Sequence, residues 1–432
     1  MGMLAARLAE LIPGMRTHAR EFVKAHGSTV ISEVTVEQIC GGMRGVRSIV
    51  CDTSSVEPDT GLTVRGYPIL DLVDKTPQET LWLLLTGEMP TPEQAKNLTE
   101  DLAARREVPD YVWDILESMP RNSHPMTMLC VAINSMAPES KFRNAYENGA
   151  KKEDYWITTL EDCLDLVARV PVIAAGIYRI HYEKGPRIEG DLKLPLSLNF
   201  ARLLGIKDPS GQFADLIRLY LVLHSDHEGA NVSAMTTAVV NSALSDLYLS
   251  LAAGLNGLAG PLHGLANQDC IKWILMVHEK FNGVPTDEQV EKFAWETLNA
   301  GHVIPGYGHA VLRITDPRFD AFYDFGKKFL HDDPVFQIVR KVFEIVPGVL
   351  QQVKKIKDPW PNVDAVSGSL LYHYGMTEFP FYTVLFGVSR TIGVASQAVL
   401  ARALGAPIFR PKSITMDVLE ALVTKKDAVA AG

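Results

Sequence analysis

Several long segments of this chain carry the apolar spacing of helices: 159–182, 212–224, 234–258, 265–280, 320–346 and 380–404. Some of them are apolar almost all the way round. A helix without a polar face has to be enclosed by other helices, so the chain is constrained to a large body in which helices surround helices. Helix starts are also written locally. Thr76-Pro77-Gln78-Glu79 supplies an N-cap, a proline at the first helical position and a glutamate at the third, and Gly87 ends the run. Thr91-Pro92-Glu93-Gln94 and Thr286-Asp287-Glu288-Gln289 repeat the device. Strand signals are sparse. Val30, Ile31, Val34 and Val36, with Thr63 and Val64, predict one small β-hairpin near the N-terminus. Strands and helices do not alternate, so a parallel α/β sheet is disfavoured and the expected class is all-α.

Composition narrows the function. With 432 residues, 47% of them apolar, there is ample material for a large core. A net charge of −9 argues against nucleic acid or an anionic membrane as the main partner. The five cysteines, Cys40, Cys51, Cys130, Cys163 and Cys270, are scattered and never in CxxC spacing, which favours a reducing compartment over a disulfide framework or zinc ribbon. The richest apolar stretch, 381–404, is interrupted by Arg390, Gln397 and Arg402, so no membrane span is expected. The first residues form an amphipathic helix with Leu4, Leu8, Leu11 and Ile12 on one side. That helix includes Glu10 and no serine, a poor transit peptide. Small residues from Ser250 to Gly260 predict a close helix–helix contact at a subunit or domain interface.

The sequence contains no GxxxxGK[ST], no complete GxGxxG after a strand, no HExxH and no GxSxG. His224 and His227 stand at i, i+3, but no third ligand accompanies them, so no metal is expected and a histidine capping a helix end is the simpler reading. In Gly260-Pro261-Leu262-His263-Gly264 one helix ends and another begins, which places His263 at a helix N-terminus. The dipole there disfavours an imidazolium, and a neutral imidazole can donate to a developing enolate; a simple cap is the alternative. Pro305-Gly306-Tyr307-Gly308-His309 is a glycine-rich loop followed by Arg313 and Arg318, either an anion site or a turn with solvated arginines. Lys354, Lys355 and Lys357 suit phosphate groups or a solvated face. They precede Pro359-Trp360-Pro361 and Asp364, which is either an N-cap or a general base. Arg390, inside an apolar helix, needs an anion, structural or substrate.

Together these pieces closely resemble citrate synthase of the mitochondrial type, also found in some bacteria. The matching elements are Gly41-Gly42-Met43-Arg44-Gly45, Ser225-Asp226-His227-Glu228-Gly229, Gly260 to Asn267, Pro305 to Leu312, Pro361 to Ala365, Phe386 to Arg390 and Arg410-Pro411-Lys412-Ser413. The resemblance implies a nearly all-helical homodimer. Residues 1–264 and 376–432 would form a large domain with the dimer interface, and 265–375 a small domain closing over the site. It implies condensation of acetyl-CoA with oxaloacetate and water, without a metal or other cofactor. Asp364 would be the base, His263 the donor to the thioester oxygen and His309 the donor to the ketone. His227, Arg318 and Arg390 would hold oxaloacetate, with Arg410 supplied by the partner subunit. Arg44, Lys355, Lys357, Val303, Gly306, Tyr307 and Gly308 would hold CoA. Met235 and Val366 stand where relatives often carry histidine, a departure beside the pocket.

The same fold and catalytic set serve 2-methylcitrate synthase, which uses propionyl-CoA, so that activity is the alternative. An inactive CoA-binding helical scaffold is a further one, against which the retained His263, His309 and Asp364 weigh. A citryl-CoA lyase would need ATP-linked domains for which the chain has no room. The expected compartment is a bacterial cytoplasm, with the mitochondrial matrix as the alternative.

Overall fold

The computed structural model describes residues 2–309 and 311–430, and side chains through residue 424. Among the described residues it is built almost wholly of helices. The first group is α1 (Met3–His26), α2 (Val36–Cys40), α3 (Pro77–Thr86), α4 (Pro92–Ala104), α5 (Asp110–Ser118), α6 (Pro125–Ser135) and α7 (Lys141–Glu147). The long α8 (Tyr155–His181) follows, then α9 (Leu196–Leu204), α10 (Gln212–Leu223), α11 (Val232–Ser242) and α12 (Leu247–Leu258). Next come α13 (Ala266–Lys280), α14 (Asp287–Asn299), α15 (Pro317–Phe329), α16 (Pro334–Gln351) and α17 (Asp364–His373), which pack mainly on one another. The chain returns through α18 (Tyr382–Leu404) and ends in α19 (Met416–Ala430).

The predicted capping boxes at Thr76, Thr91 and Thr286 all form. Two predicted helices are broken. The segment 234–258 is divided where Leu244 takes φ 64° and Asp246 caps α12. The segment 320–346 is divided by Asp333-Pro334, where the aspartate caps α16 and proline occupies its first turn. The predicted hairpin is corrected. Residues 30–34 are not a strand, because Thr35 and Gln38 form a capping box that turns Val36–Cys40 into a helix. Thr63 and Val64 instead belong to a three-stranded antiparallel sheet of β1 (Ser54–Glu57), β2 (Gly61–Val64) and β3 (Tyr67–Pro68).

Helix α18 is the axis of the core. It packs on α8, α11, α3, α12, α10 and α1. With the preceding turn it has the length and hydropathy of a bilayer span, but 83% of its apolar window is buried inside this protein. The small-residue face of α12 makes its close contact within the chain. A Cβ on Gly254 would lie 2.0 Å from Thr237 Oγ1 and 2.7 Å from the Ser233 carbonyl oxygen, and one on Gly257 3.1 Å from Val232. The two glycines therefore let the start of α11 lie against the end of α12, and this juxtaposition builds part of the site below.

Candidate active site

The first half of the site grows from the end of α10. There the chain enters the segment 224–231, which is pinned on both sides. Asp226 accepts from Thr53 Oγ1 (2.6 Å) and Ser54 Oγ (2.8 Å) next to β1, and from Gln397 Nε2 (2.7 Å) on α18. Gly393 allows α18 to pass so closely that an added Cβ would meet the Ser225 carbonyl oxygen at 2.3 Å. Asn231 then caps α11 and gathers several partners. Its Oδ1 accepts from Ala234 N–H (3.1 Å), Ser233 Oγ (2.8 Å) and Arg390 Nη1 (3.2 Å), while its Nδ2 donates to the His227 carbonyl (2.8 Å). Arg390 is 2% exposed, donates through Nε to the His224 carbonyl (3.2 Å) and lies over the Phe386 ring. Among the described residues it bonds only neutral acceptors, and burial lowers its pKa to about 10 against the pull of the Asp226 carboxylate. A buried guanidinium still charged at neutral pH, and without a paired anion, is a receptor for one.

His263 sits in the turn between α12 and α13, with Nε2 3.3 Å from the Ser233 amide N and 3.0 Å from Ser233 Oγ. The backbone N–H donates, so Nε2 is the acceptor and Nδ1 carries the proton. Neutrality was expected from the helix that follows His263. The structure attributes it to burial first, then to Arg390, which together bring the pKa down to about 4, and the imidazole also rests on the N-terminus of α11.

The second half is built from two loops. Gly308 N–H donates to the Trp360 carbonyl (2.9 Å), Asn362 N–H to the Gly306 carbonyl (2.9 Å) and Asp316 N–H to the Pro361 carbonyl (3.1 Å). Asn362 Nδ2 adds a bond to the Gly308 carbonyl. This ladder fixes His309, Arg318 and Asp364 relative to one another. Gly306 has φ 81°, and an added Cβ would lie 2.8 Å from Ala365 Cα, so a side chain there is excluded twice. His309 Nδ1 accepts from the N–H groups of Val311 (3.0 Å) and Leu312 (2.9 Å), which leaves Nε2 protonated. Burial, then Arg318, brings its pKa to about 4. Arg318 is 4% exposed and already paired with Asp316, which caps α15, at 2.6 Å and 3.0 Å. Burial raises the Asp316 carboxyl, but the guanidinium overrides it and holds the group below its ordinary range. Asp364 opens α17, its N–H bonded to Asn362 Oδ1. Desolvation raises its carboxyl to about 6, against the pull of Arg318.

The halves meet where the His227 and His309 rings stand edge to face, 5.6 Å between centroids. His227 Nε2 is buried and has no partner among the described residues, and burial, Arg318 and Arg390 hold the ring neutral. Two neutral imidazole donors, a carboxylate with a raised pKa and two buried guanidinium groups can bind a small dianion and move a proton beside it. Among the described residues no group of three His, Cys, Asp or Glu side chains converges as a metal site. His224 instead stacks on Tyr220 at 4.1 Å.

Not every expected residue is gathered here. Val303 is 79% exposed at the loop's edge, and Arg44 is exposed on one segment and Lys355 and Lys357 on another, with no hydrogen bond or ion pair joining them among the described residues. Arg410 is exposed on the tail after α18, where it lines a cavity of about 460 Å³ with Arg65, Arg402 and residues 48–53. The residues that sequence reasoning missed are Asn231, Ser233 and Asp316. Asn231 and Asp316 each stand at a recognisable N-cap, Asp316 ahead of Pro317.

The family described as "Citrate synthase, C-terminal domain" matches residues 42–412. A mitochondrial citrate synthase of Saccharomyces cerevisiae is 49% identical over 432 residues, covering 98% of this chain and 90% of that protein. A mitochondrial 2-methylcitrate synthase of Yarrowia lipolytica is 48% identical over 434 residues, covering 98% and 93%. The crystal structure of citrate synthase from Pyrobaculum aerophilum superposes with a TM-score of 0.79 at 27% identity, covering 90% of this chain and 97% of that one. The mitochondrial relatives overturn the expectation of a bacterial cytoplasm. That expectation rested on a first helix that reads as a poor transit peptide, and the scattered cysteines beside it suit any reducing compartment equally.

Proposed function

The chain belongs to the citrate synthase family, and from that premise we propose which of its residues condense acetyl-CoA with oxaloacetate and water to give citrate and CoA. Asp364, as carboxylate, takes a proton from the acetyl methyl. His263 Nδ1–H donates to the thioester oxygen, where the charge of the forming enol accumulates. The enol carbon attacks the ketone of oxaloacetate, whose oxygen takes the His309 Nε2 proton and becomes the hydroxyl, and the proton that Asp364 gained restores His309 through solvent when the site reopens. Water then hydrolyses the citryl thioester and releases CoA. His227, Arg318 and Arg390 bind the two carboxylates of oxaloacetate. The scheme uses no cofactor, because acetyl-CoA is itself a substrate.

The observation that carries this reading is the state of the two histidines. Each has one ring nitrogen occupied by backbone N–H donors, so each is a neutral donor through the other. A neutral donor polarises a carbonyl without first surrendering a charge to solvent.

Residues 265–375 serve as a small domain that closes over the larger one of 1–264 and 376–432; the mutual packing of α13 to α17 supports this. Arg44, Lys355, Lys357 and the loop 303–308 hold CoA in the closed form. The chain acts as a homodimer, with Arg410 completing the partner's oxaloacetate site. Support comes from two arms that leave apolar side chains in solvent, Val30 (79% exposed) and Val50 (87%) on one, Ile408 (60%) and Met416 (60%) on the other. The mitochondrial matrix is the compartment that the similarity to mitochondrial enzymes supports.

The near-equal identity to a 2-methylcitrate synthase, 48% against 49%, keeps propionyl-CoA as a second reading, since one methylene in an apolar pocket changes discrimination by only about 1–3 kcal/mol. The test is release of CoA thiol in the presence of oxaloacetate. At least about tenfold faster release from acetyl-CoA than from propionyl-CoA is expected. The reverse ratio would make the chain a methylcitrate enzyme, and no release from either would overturn the catalytic reading.

A further inference from the structure

We propose that Asn267 is a positioning residue that sets the separation between the donor His263 and the base Asp364. The inference rests on the roles just assigned to those two groups. Asn267 is 4% exposed and stands four residues beyond His263, in the first turn of α13. Its Nδ2 donates to Ser367 Oγ at 3.0 Å. Its Oδ1 has no partner among the described residues and lies where a Cβ on Gly368 would be only 2.3 Å away. Ser367 and Gly368 are the third and fourth residues after Asp364 on α17, so they share the helix face that presents the carboxylate.

One amide therefore spans the gap between the segment that carries the donor and the helix that carries the base. The first turn of α18 grips the same two places. Thr383 Oγ1 donates to the Gly264 carbonyl (3.1 Å), next to His263, and Tyr382 Oη, whose 2.6 Å bond goes to the Met376 carbonyl, lies 3.4 Å from the Gly368 carbonyl. The acetyl methyl has to lie between a donor and a base, so the spacing of the two is a direct determinant of proton transfer. A displacement of about 1 Å can cost about a hundredfold. A side chain on Gly368 would have to displace the Asn267 amide or push α17 away from α13, and either change alters the spacing.

The test uses Asn267→Ala, Gly368→Ala and the double variant in the full-length enzyme. Turnover is measured with acetyl-CoA and with acetyl-CoA deuterated at the methyl, beside the KM for oxaloacetate. Each single variant is expected to lower kcat about tenfold or more and to raise the deuterium isotope effect, because proton removal becomes slower than the later steps. The KM for oxaloacetate should stay within about twofold. The double variant should lie within about twofold of Asn267→Ala, since the clash with Oδ1 is gone and only contacts of 3.2 Å to Ile271 Cβ and 3.3 Å to the Asn267 carbonyl oxygen remain. An unchanged kcat in Asn267→Ala would overturn the proposal. So would a fall in kcat that tracks the folded fraction with no change in isotope effect. Should Asn267→Ala fail to fold, Gly368→Ala supports the same decision. Asp364→Asn, measured alongside, separates the two levels: near-normal turnover there would remove the base assignment itself, whereas normal Asn267 variants with a dead Asp364→Asn would remove only the spacer.

Discussion

Around His227, Asn231 and Arg390 the polar atoms are held by side chains and helix ends, whereas around Gly306, His309 and Asp364 much of the holding is done by the backbones of two loops. The first region is set into the core beside α18, and its charge pattern is fixed at neutral pH. His224, His227 and His263 are all pushed down by burial, to about 3, well below the ordinary value and to about 4. The second region holds the one group of the assigned catalytic three whose charge changes near neutrality, the Asp364 carboxyl. The difference teaches a division of labour. On the proposed roles, the buried half contributes preset neutral donors and one cation, while the loop half adds the second cation, Arg318, and carries the proposed proton acceptor.

That comparison can be broken at its most consequential point by Asp364→Asn. Turnover should fall about a thousandfold, the usual order for removal of a general base, while oxaloacetate affinity measured by direct binding stays within a few-fold of normal. A parallel loss of binding would show that the halves are not separable. In the buried half, Asn231→Ala removes the α11 cap and the acceptor of Arg390 Nη1. The expected outcome is a rise of about tenfold in KM for oxaloacetate, with a loss of about 1–3 kcal/mol in chemical denaturation. A change confined to kcat would contradict the recognition role of this half.

The smallest effect is the pH profile. The base must be ionised, and its pKa lies at about 6, so kcat/KM should be level above pH 7, half-maximal near 6 and falling tenfold per unit below that. With His263 and His309 at about 4, no second acidic limb should enter above pH 5. A midpoint near 7 would mean that one of these imidazoles titrates in the working enzyme.

Much of the framework was legible because its causes are local. A threonine, a proline and a glutamate within four residues are enough to start a helix, and α3 begins where Thr76 predicts. The hairpin was misread because Val30, Ile31 and Val34 supply strand-forming residues, but the adjacent Thr35–Gln38 capping box is the stronger local instruction. In the site, residue type and resemblance pointed to His263, His309, Asp364 and Arg390. Ser233 could not be found in this way. It matters because its amide reaches an imidazole thirty residues on, and that meeting depends on two glycines of α12 letting α11 come close. The Asp316 pairing with Arg318 was nearer to hand, since Asp-Pro is a helix start and the arginine follows at the next turn position.

The position of α18 has a consequence for how the chain is made. The helix that fills the centre of the molecule is encoded after α1 to α17, so a growing polypeptide leaves the ribosome with its central slot empty. Helices α3, α8, α10 and α11 must wait, with the faces meant for α18 uncovered, until residues 382–404 arrive. Partly made chains of this kind expose apolar surface for the whole of elongation and invite chaperone capture or aggregation. The core is therefore closed by a helix that follows nearly all of its packing partners in the chain.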